Sequence, residues 1–391
     1  MKRGTQTLLR ILSLLLLLAV SAYGLLTVNA SRERAIPTAV PVPTAVPTAA
    51  PTSIPTSEPI PEPTPEPTPE PTPEPTPQVV TVSMVGDCTL ASYPGIRNFG
   101  NSFENVVGSD WAYSFSNTAE IFAADDLTLA NLECTLSDQQ GWSGATFSFL
   151  APAAAVDILT AGSVEYVTTA NNHAMDYGRD LYDDTCAILD SRGILHSGDG
   201  ESSLFTTQSG VVVGIYSMFN YYCPAFERMP DAVRSLREQG AELVIVAAHW
   251  GLEGTFYQTP DQTALAHKAI DAGADIVYGS HPHRLQPTEE YNGGVIFYSM
   301  GNWCFGGNTN PDDQDTAIAQ VQYQRQEDGT LAYLGTKLIP CAISSQKNTN
   351  DYRPTPYEPG SEDYNRALSK LSGEYSGPNS NVDYSFMHQE G

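Results

Sequence analysis

Basic residues are scarce in this sequence of 391 residues. It carries 19 Lys and Arg against 45 Asp and Glu, which gives a formal net charge of −26. Nucleic-acid binding needs a basic surface that neutralises phosphates and releases counterions, so this balance excludes a general nucleic-acid-binding protein. The acidic chain should stay soluble, and it should repel anions except where a cation is bound.

The sequence also lacks the motifs of several enzyme and metal-binding classes. None of its six cysteines forms a CxxC pair, which argues against a zinc ribbon and against a thioredoxin-type motif. No GxSxG nucleophile motif and no Gly-rich phosphate loop is present. A disordered chain is excluded as well, because 41% of the residues are hydrophobic and can form a core.

One uncharged apolar run lies near the N-terminus, over residues 11–28. As a helix it would be about 27 Å long, against a hydrocarbon core of about 30 Å. Basic residues precede it, so the positive-inside rule predicts that everything after it is exported. Val28-Asn29-Ala30 also fits a signal-peptide cleavage site. Residues 1–30 are therefore predicted to be a signal anchor or a cleaved signal peptide. The protein would accordingly lie in the cell membrane with an extracellular head domain, or be secreted.

Proline is concentrated directly after this run. Sixteen of the 29 prolines fall between Pro37 and Pro77. Proline fixes φ and removes a backbone donor, so the segment should be an extended polyproline II spacer and not part of a core. Residues 31–78 are predicted to be a disordered stalk, rich in Pro, Thr and Glu, that holds a head domain away from the membrane.

After the stalk, apolar runs typical of buried strands alternate with helical patterns. The clearest strand-like runs are VVTVSMVGD, LTLANLE, ELVIVAAHWG and DIVYGSHPH. Helices are predicted near 117–123, after Pro152, and over 179–191, 234–239 and 263–271. This alternation predicts an α/β fold. Three later segments, GVIFYSMGN, TAIAQVQYQ and TLAYLGTKLIP, are expected to form a second sheet, and residues 346–391 an irregular extension with a helical piece near 364–371.

Chemically active side chains cluster where the predicted strands end. In chain order they are Asp87, Glu133, Asn172, His173, His249, His281 and His283. Ligand sites in α/β sheets lie beyond the carboxyl ends of strands, so folding should bring these residues together. Any one histidine could be an ordinary hydrogen-bonding residue, but the combined set of carboxylate, amide and imidazole ligands suits Mn, Zn or Fe. A site for one or two divalent metal ions is predicted.

The same segments resemble the poly-gamma-glutamate capsule-synthesis (CapA) family, itself similar to the calcineurin-like metallophosphatases. Those that match are VGDCTL, ADDLTLANLE, TTANNHAMDYG, VIVAAHWGLE, DAGADIVYGSHPH and FYSMGN, in family order. The resemblance implies a four-layer α-β-β-α sandwich of metallophosphatase type over residues 79–345, with the metal site at the strand ends.

The resemblance also implies a role for each residue of the cluster. The metal ligands would be Asp87 at the first metal, Glu133 in the bridging position, Asn172 and His249 at the second metal, and His281 and His283 divided between the two. His173 would be the general acid near the leaving group, with Asp176 to orient it. Asn302 would either line the pocket or serve only as a turn residue after Gly301.

Two positions depart from the family pattern. Metallophosphatases usually place a histidine two residues after the first aspartate, and here that position is Thr89. The first metal then has fewer protein ligands, which leaves a mononuclear site open. The capsule family commonly has an arginine soon after the Gly-Asp, and this chain has Ser92 there. The resemblance therefore does not extend to anion recognition at that point.

Two classes of function remain open on the sequence alone. The first is a surface metal-dependent hydrolase that acts on a phosphoester or an amide of an anionic envelope polymer. The second is a non-catalytic accessory or binding subunit of a polyglutamate synthesis and export complex, with membrane polyglutamate synthase components as partners. Both belong to capsule or envelope-polymer biogenesis, and neither involves nucleic acid.

Overall fold

The computed structural model describes residues 78–219 and 224–378. The predicted signal segment, the stalk up to residue 77 and the last 13 residues of the chain lie outside the described residues. Among the residues described, no helix combines the length and the apolar character that a membrane span requires.

Strands dominate the described residues. In chain order they are β1 (Val79–Cys88), β2 (Leu127–Leu132), β3 (Thr135–Leu136), β4 (Leu150–Ala151), β5 (Tyr166–Thr168), β6 (Leu195–Ser197), β7 (Ser202–Thr206), β8 (Val212–Phe219), β9 (Leu243–His249), β10 (Ile276–Ser280), β11 (Thr288–Tyr291), β12 (Gly294–Phe297), β13 (Asp315–Arg325), β14 (Leu331–Ala342) and β15 (Thr355–Pro356). The helices are α1 (Phe103–Val107), α2 (Ala119–Phe122), α3 (Val156–Ala161), α4 (Arg179–Ser191), α5 (Pro224–Glu238), α6 (Pro260–Asp271) and α7 (Glu362–Leu371), and a 3₁₀ turn covers Ala153–Ala155.

The strands form two main sheets. The first has the order β15-β14-β13-β1-β2-β5-β6, with β1, β2, β5 and β6 parallel and β13 antiparallel to β1. The second has the order β11-β12-β10-β9-β8-β7, in which the four central strands are parallel and the two edge strands antiparallel. The α/β class that the sequence predicts is confirmed.

Three buried clusters define the layers between these elements. One lies between the two sheets and includes residues of helix α7, one lies between the first sheet and helices α1 to α4, and one lies between the second sheet and helices α5 and α6. Strand β9 illustrates the arrangement: Leu243, Ile245 and Ala247 belong to the inter-sheet cluster, and Val244, Val246 and Ala248 to the outer one. Successive strand residues point to opposite faces, and both faces are covered, which is why the run is apolar throughout. The layer order is helix, sheet, sheet, helix.

Local sequence fixes the ends of the helices that pack on these sheets. Helix α6 begins at Pro260, and its N-cap Thr259 forms a capping box with Gln262, in which each side chain satisfies the other residue's backbone N–H. Helix α4 spans Arg179–Ser191, the range expected from its spacing. Helix α5 begins at Pro224, ten residues before the predicted start, and contains Pro230, where sequence rules would place a helix end.

Two of the three segments expected in a second sheet lie in the first sheet instead. GVIFYSMGN contributes β12 to the second sheet, whereas TAIAQVQYQ and TLAYLGTKLIP form β13 and β14 of the first sheet. The edge of β1 away from β2 accepts β13, and the apolar alternation of β13 does not by itself select a sheet. The sequence reading also left β8 unassigned, although it lies parallel to β9 within the second sheet.

The segment after residue 345 is joined to the first sheet through charged side chains. Strand β15 pairs with β14, and helix α7 covers the helical piece expected near 364–371. Lys370 of α7 is 1% exposed at its side chain, and its Nζ lies 2.7 Å from both Asp313 Oδ1 and Asp315 Oδ2. Burial alone would raise the pKa of Asp315, but Arg366 and Lys370 hold it below its usual value. The helix is therefore held by a buried ion network.

Replacing Lys370→Met should cost about 3 kcal/mol of unfolding free energy, because removing one partner leaves buried carboxylates uncompensated. Lys347→Met is the matched control, since Lys347 is 85% exposed and pairs with Asp363 at 3.1 Å. Exposed ion pairs contribute about 0–1 kcal/mol. Urea unfolding of both variants measures the difference, and equal losses would contradict a structural role for the network.

Candidate metal centre

The predicted ligands lie at the carboxyl ends of the central strands of both sheets. Asp87 is the next-to-last residue of β1, and Glu133 directly follows β2. In the second sheet, His249 ends β9 and His281 directly follows β10. Both pairs of strands are parallel neighbours, so their ends lie at the same edge of their sheet.

A close backbone approach fixes the position of Asp87. Its N–H donates to Gly301 O at 2.9 Å, and its own carbonyl accepts from Trp303 N at 2.8 Å. A side chain at Gly86 would place Cβ 2.1 Å from Gly301 O, so only glycine allows the two segments to approach this closely. Glycine is needed at position 86 because the segment bearing Asn302 passes directly against it.

The loop with the two histidines has an unusual backbone. His281 has φ +98° and His283 has φ +54°, a region that is uncommon for residues other than glycine, although histidine adopts it more often than most. Residues held in such conformations persist only where the surrounding structure fixes them, and they cluster at functional sites. The N–H of His281 points to Asp87 Oδ2 at 3.4 Å, which ties this loop to the first sheet.

Side-chain contacts bring all six predicted ligands into one group. His283 Nδ1 lies 3.0 Å from Asp87 Oδ2 and 2.9 Å from Asn302 Oδ1. His249 Nε2 lies 2.7 Å from Asn172 Oδ1 and 3.4 Å from Glu133 Oε1.

The rings of His249 and His281 have centroids 4.6 Å apart, which connects the two halves of the group. Residues that are far apart in sequence and lie on both sheets thus converge on one point.

Two overlapping sets of ligand-type atoms lie within this group. One comprises Glu133, His281 and His283, and the other Asp87, Glu133 and His249, with the ligand atoms of each set within 4.8 Å of one another. Glu133 belongs to both sets. It is fully buried, and in the part of the chain that the structure describes neither of its carboxylate oxygens has a hydrogen-bond partner. The buried Nδ1 of His281 likewise has no partner among the described residues.

These orphaned atoms fit a bound cation. A buried carboxylate without hydrogen bonds carries a high desolvation cost, which a bound metal ion would offset. Carboxylate oxygen and imidazole nitrogen are ligands of Zn, Mn and Fe. The donor set therefore suits a divalent metal, although several such metals share the same preference.

The pKa shifts in the group favour the neutral forms of Glu133, His249 and His281 and the charged form of His283. Burial raises the pKa of Glu133 well above its usual value, and the negative charge of Asp87 raises it further. Burial lowers the pKa of His249, and burial together with the charge of His283 lowers that of His281 to about 4. Burial also acts to lower the pKa of His283, but the carboxylates of Glu133 and Asp87 outweigh it and raise the pKa to about 9.

His173 and Asp176 form a separate pair beside this group. His173 Nδ1 lies 2.9 Å from Asp176 Oδ2, and the same oxygen accepts from Phe149 N at 3.0 Å. The His173 ring also meets the Phe149 ring edge-on, with centroids 4.9 Å apart. These contacts hold the imidazole with Nδ1 toward Asp176, which leaves Nε2 as the nitrogen available to a ligand.

A cleft of about 490 Å³ opens above the group. Its lining includes Asn172, His173, His283 and Asn302, so Asn302 lines the cleft and is more than a turn residue. The two departures from the family pattern lie elsewhere. The hydroxyl of Thr89 accepts from Gly306 N at 2.7 Å, and that of Ser92 accepts from Phe103 N at 2.9 Å, both in buried loops.

The sequence reading missed Asn131, which is central to the group. Asn131 is fully buried, its Nδ2 donates to Asp87 Oδ1 at 2.9 Å, and the same nitrogen lies 3.3 Å from His249 Nδ1. Its Oδ1 accepts from Asn171 Nδ2 at 2.9 Å. A signal was present, since Asn131 is a polar residue in an apolar strand, two positions before Glu133 and so on the same face.

Ser280 was also missed. Its hydroxyl lies 2.9 Å from His249 Nδ1, on the opposite ring nitrogen from the one that faces Asn172 and Glu133. A partner on the second nitrogen orients the ring of a metal-ligating histidine, which is the position that Ser280 occupies here.

Two solved structures overlap this chain in part. An NAD nucleotidase of Haemophilus influenzae (NadN) gives a TM-score of 0.38 at 13% identity, covering 78% of this chain and 65% of that one. The purple acid phosphatase PPD1 from yellow lupin (Lupinus luteus) seeds gives 0.34 at 11% identity, covering 78% and 57%. Overlaps of this size carry no argument about activity.

Proteins related in sequence share a higher identity with this chain than these two structures do. A "PGA biosynthesis protein CapA" of Bacillus subtilis is 32% identical over 268 residues, covering 62% of this chain and 70% of the relative. A "Capsule biosynthesis protein CapA" of Bacillus anthracis is 29% identical over 279 residues, covering 64% and 65%. A Mycobacterium tuberculosis chain named "Probable polyglutamine synthesis accessory protein" is 27% identical over 226 residues, covering 49% and 60%.

The family comparison covers most of the head domain. The model for "Bacterial capsule synthesis protein PGA_cap" matches residues 81–220 and 206–307, which together contain every strand-end residue of the metal group. More than half of the chain is therefore matched, in agreement with the resemblance read from the motifs. This chain belongs to the bacterial capsule synthesis protein family PGA_cap.

Proposed function

We propose that this chain is a metal-dependent hydrolase of capsule or poly-gamma-glutamate biogenesis, which cleaves a phosphoester or an amide in an anionic envelope polymer. The observation that carries the proposal is Glu133, a fully buried carboxylate with no hydrogen-bond partner among the described residues, shared by two sets of ligand-type atoms. A carboxylate in that position is explained by one or two bound cations. Without a cation the cost of burying this charge is expressed in the raised pKa of Glu133, and a bound ion would offset that cost.

The metal ligands in this proposal are assigned by their contacts. Glu133 would serve both ions, because its carboxylate lies within 4.8 Å of ligand atoms of Asp87, His249, His281 and His283. Asp87 and His283 would serve one ion and Asn172 and His249 the other, with His281 next to His249. A bound divalent ion supplies Lewis acidity and positive charge for a phosphoryl or carbonyl oxygen. The helix, sheet, sheet, helix layers agree with a metallophosphatase-type sandwich, to which we assign the head domain.

His173 is proposed as the general acid. Its Nδ1 is occupied by Asp176, so Nε2 would carry the proton toward the leaving group in the cleft. Asp176 fixes the ring orientation through its oxygen, which is held in turn by the Phe149 amide. Asn131 and Ser280 would position Asp87 and His249 without contacting substrate.

The setting of this activity is proposed from the sequence and the relatives. The uncharged run at 11–28 and the proline stalk would hold the head outside the cell membrane, or release it if the run is a cleaved signal peptide. The names of the relatives support polymer synthesis as the process. Membrane components of a polyglutamate synthase are the expected partners.

A second candidate is a non-catalytic accessory subunit that binds polymer through the same metal group. The name of the mycobacterial relative includes the words "accessory protein", and Thr89 stands where metallophosphatases usually have a histidine. Metal analysis followed by an assay with bis(p-nitrophenyl) phosphate and with a poly-gamma-glutamate oligomer separates the two. Metal with turnover supports the hydrolase, and metal without turnover on either substrate supports the accessory subunit.

Glu133→Gln should abolish metal binding while leaving the metal-free fold intact. The substitution keeps the shape and removes only the ligand charge, so Mn²⁺ should raise the melting temperature of wild type by several degrees and of the variant not at all. Glu289→Gln is the control, because Glu289 is a partly buried carboxylate that pairs with His267 and Tyr298. A metal-dependent shift that survives in Glu133→Gln would contradict the assignment.

Metal affinity should rise with pH between 6 and 9. A ligand must lose its proton to bind metal, and the pKa of His283 is raised to about 9 in the metal-free protein. Protons therefore compete with the metal throughout this range, and each binding event should release about one proton from His283. Calorimetric titration in two buffers of different ionisation enthalpy measures the release. An affinity independent of pH would exclude His283 as a ligand.

His173→Asn should reduce turnover most for substrates with poor leaving groups. General acid catalysis contributes about 10²–10⁴-fold in rate, but an activated p-nitrophenolate needs little protonation. Turnover of phenyl esters should therefore fall about a hundredfold or more, and turnover of p-nitrophenyl esters much less. The metal content of the variant should be unchanged. Asp176→Asn should show the same leaving-group pattern more weakly. Equal losses on both ester types would show that His173 has another role.

A further inference from the structure

One arginine lines the cleft. Among the described residues of its lining, Arg284 is the only Lys or Arg, and it directly follows His283 in the chain. Two acidic residues, Glu253 and Asp312, line the same cleft. In a chain with a net charge of −26, an arginine at this position requires an explanation.

The guanidinium of Arg284 is held from two sides that differ in exposure. On the inner side it lies 5.7 Å from the centre of the Phe256 ring, and its Nε is 3.9 Å from Asp313 Oδ2, which has no hydrogen-bond partner within the described segments. On the outer side its Nη2 donates to Asp312 Oδ1 at 2.7 Å. Arg284 is 17% exposed at its side chain, whereas Asp312 is 72% exposed.

This asymmetry makes Asp312 a replaceable counter-ion. Phe256 and the largely buried carboxylate of Asp313 lie against the inner side of Arg284, whereas Asp312 is 72% exposed, so its attraction to Arg284 is open to screening by salt. The side chain of Asp312 can turn into solvent when another anion takes its place. The planar guanidinium then presents parallel N–H donors, which match a carboxylate or a phosphate in a bidentate arrangement.

The region around Ser92 does not supply a cation to the cleft. Ser92 stands where family members commonly have an arginine, and its hydroxyl is buried against Phe103 N. The nearby Arg97 is engaged with Glu104, with Ser92 O and with Leu150 O. It is absent from the described residues that line the cleft. Arg284 is therefore the protein group available to an anionic ligand there.

We propose that Arg284 is the specificity-determining residue of the cleft and binds an anionic group of the substrate, a carboxylate or a phosphate oxyanion, in exchange for Asp312. The proposal rests on the proposed function for the identity of the ligand as substrate, but not for the existence of the anion site. It explains how a strongly acidic protein can take up an acidic polymer, since Arg284 gives the polymer an attractive contact beside the metal group.

The test is calorimetric titration of the full-length protein, Mn²⁺-loaded and metal-free, with two monoanions and a neutral analogue. Dimethyl phosphate represents a phosphodiester, monomethyl glutarate a carboxylate, and trimethyl phosphate the uncharged case. The variants are Arg284→Gln, Arg284→Lys and Asp312→Asn. Arg179→Gln is the control of equal charge change, because Arg179 is an exposed residue that pairs with Asp183 outside the cleft.

Arg284→Gln should weaken binding of at least one anion tenfold or more, with Arg284→Lys intermediate and Arg179→Gln within twofold of wild type. Asp312→Asn should tighten binding of the same anion, and trimethyl phosphate should respond to none of the changes. The anion that loses affinity identifies the ligand chemistry. If Arg284→Gln does not fold, the other two variants test the proposal, because Arg284→Lys should weaken binding of the anion and Asp312→Asn should tighten it.

Two results would overturn the proposal. One is an Arg284→Gln variant that binds both anions as wild type does, and the other is an equal loss in Arg179→Gln, which would indicate a general charge effect. Because binding is measured without turnover, an inactive protein whose anion affinity depends on Arg284 refutes the hydrolase but not this site. An active protein indifferent to Arg284→Gln refutes the site but not the hydrolase.

Discussion

The burial of one carboxylate without hydrogen bonds is the constraint on which the rest of the site depends. Glu133 lies at the end of β2 between the two sheets, fully buried, and both of its oxygens lack partners among the described residues. Hydrogen bonds, ion pairing or a metal normally satisfy such a group. Burial keeps the pKa of His249 and of His281 low, whereas the carboxylates of Glu133 and Asp87 raise that of His283 to about 9, so His283 supplies part of the compensating charge. A bound cation would satisfy the two Glu133 oxygens, which have no hydrogen-bond partner among the described residues.

The fold supplies this arrangement through the ends of parallel strands. β1 and β2 contribute Asp87 and Glu133 from one sheet, and β9 and β10 contribute His249 and His281 from the other. Each pair of strands is covered on both faces, so the strands are apolar up to the point where they end. The polar residues follow at once, and the glycine at 86 lets the segment with Asn302 close against Asp87. The same strands thus form the core along their length and the site at their carboxyl ends.

Much of this could be predicted because the site residues interrupt apolar runs. Asp87, Glu133, His249 and His281 each stand at a visible change from apolar to polar, and the helix over 179–191 follows from its spacing. Contacts between residues that are distant in sequence were harder to predict. The placement of β13 beside β1 depends on a pairing across more than 200 residues, which alternation alone does not encode. Asn131 was missed because it lies inside a strand, and its role appears only once Asp87 and His249 are adjacent.

The most direct test of metal binding at Glu133 is an anomalous difference map from a crystal of the protein soaked in Mn²⁺. The account predicts density next to the Glu133 carboxylate, within direct bonding distance of about 2.0–2.2 Å of carboxylate oxygen and of imidazole nitrogen from His281 or His283. A second peak on the side of His249 and Asn172 would establish a dinuclear centre bridged by Glu133. Anomalous density only at surface carboxylates, with Glu133 unliganded, would contradict the central claim.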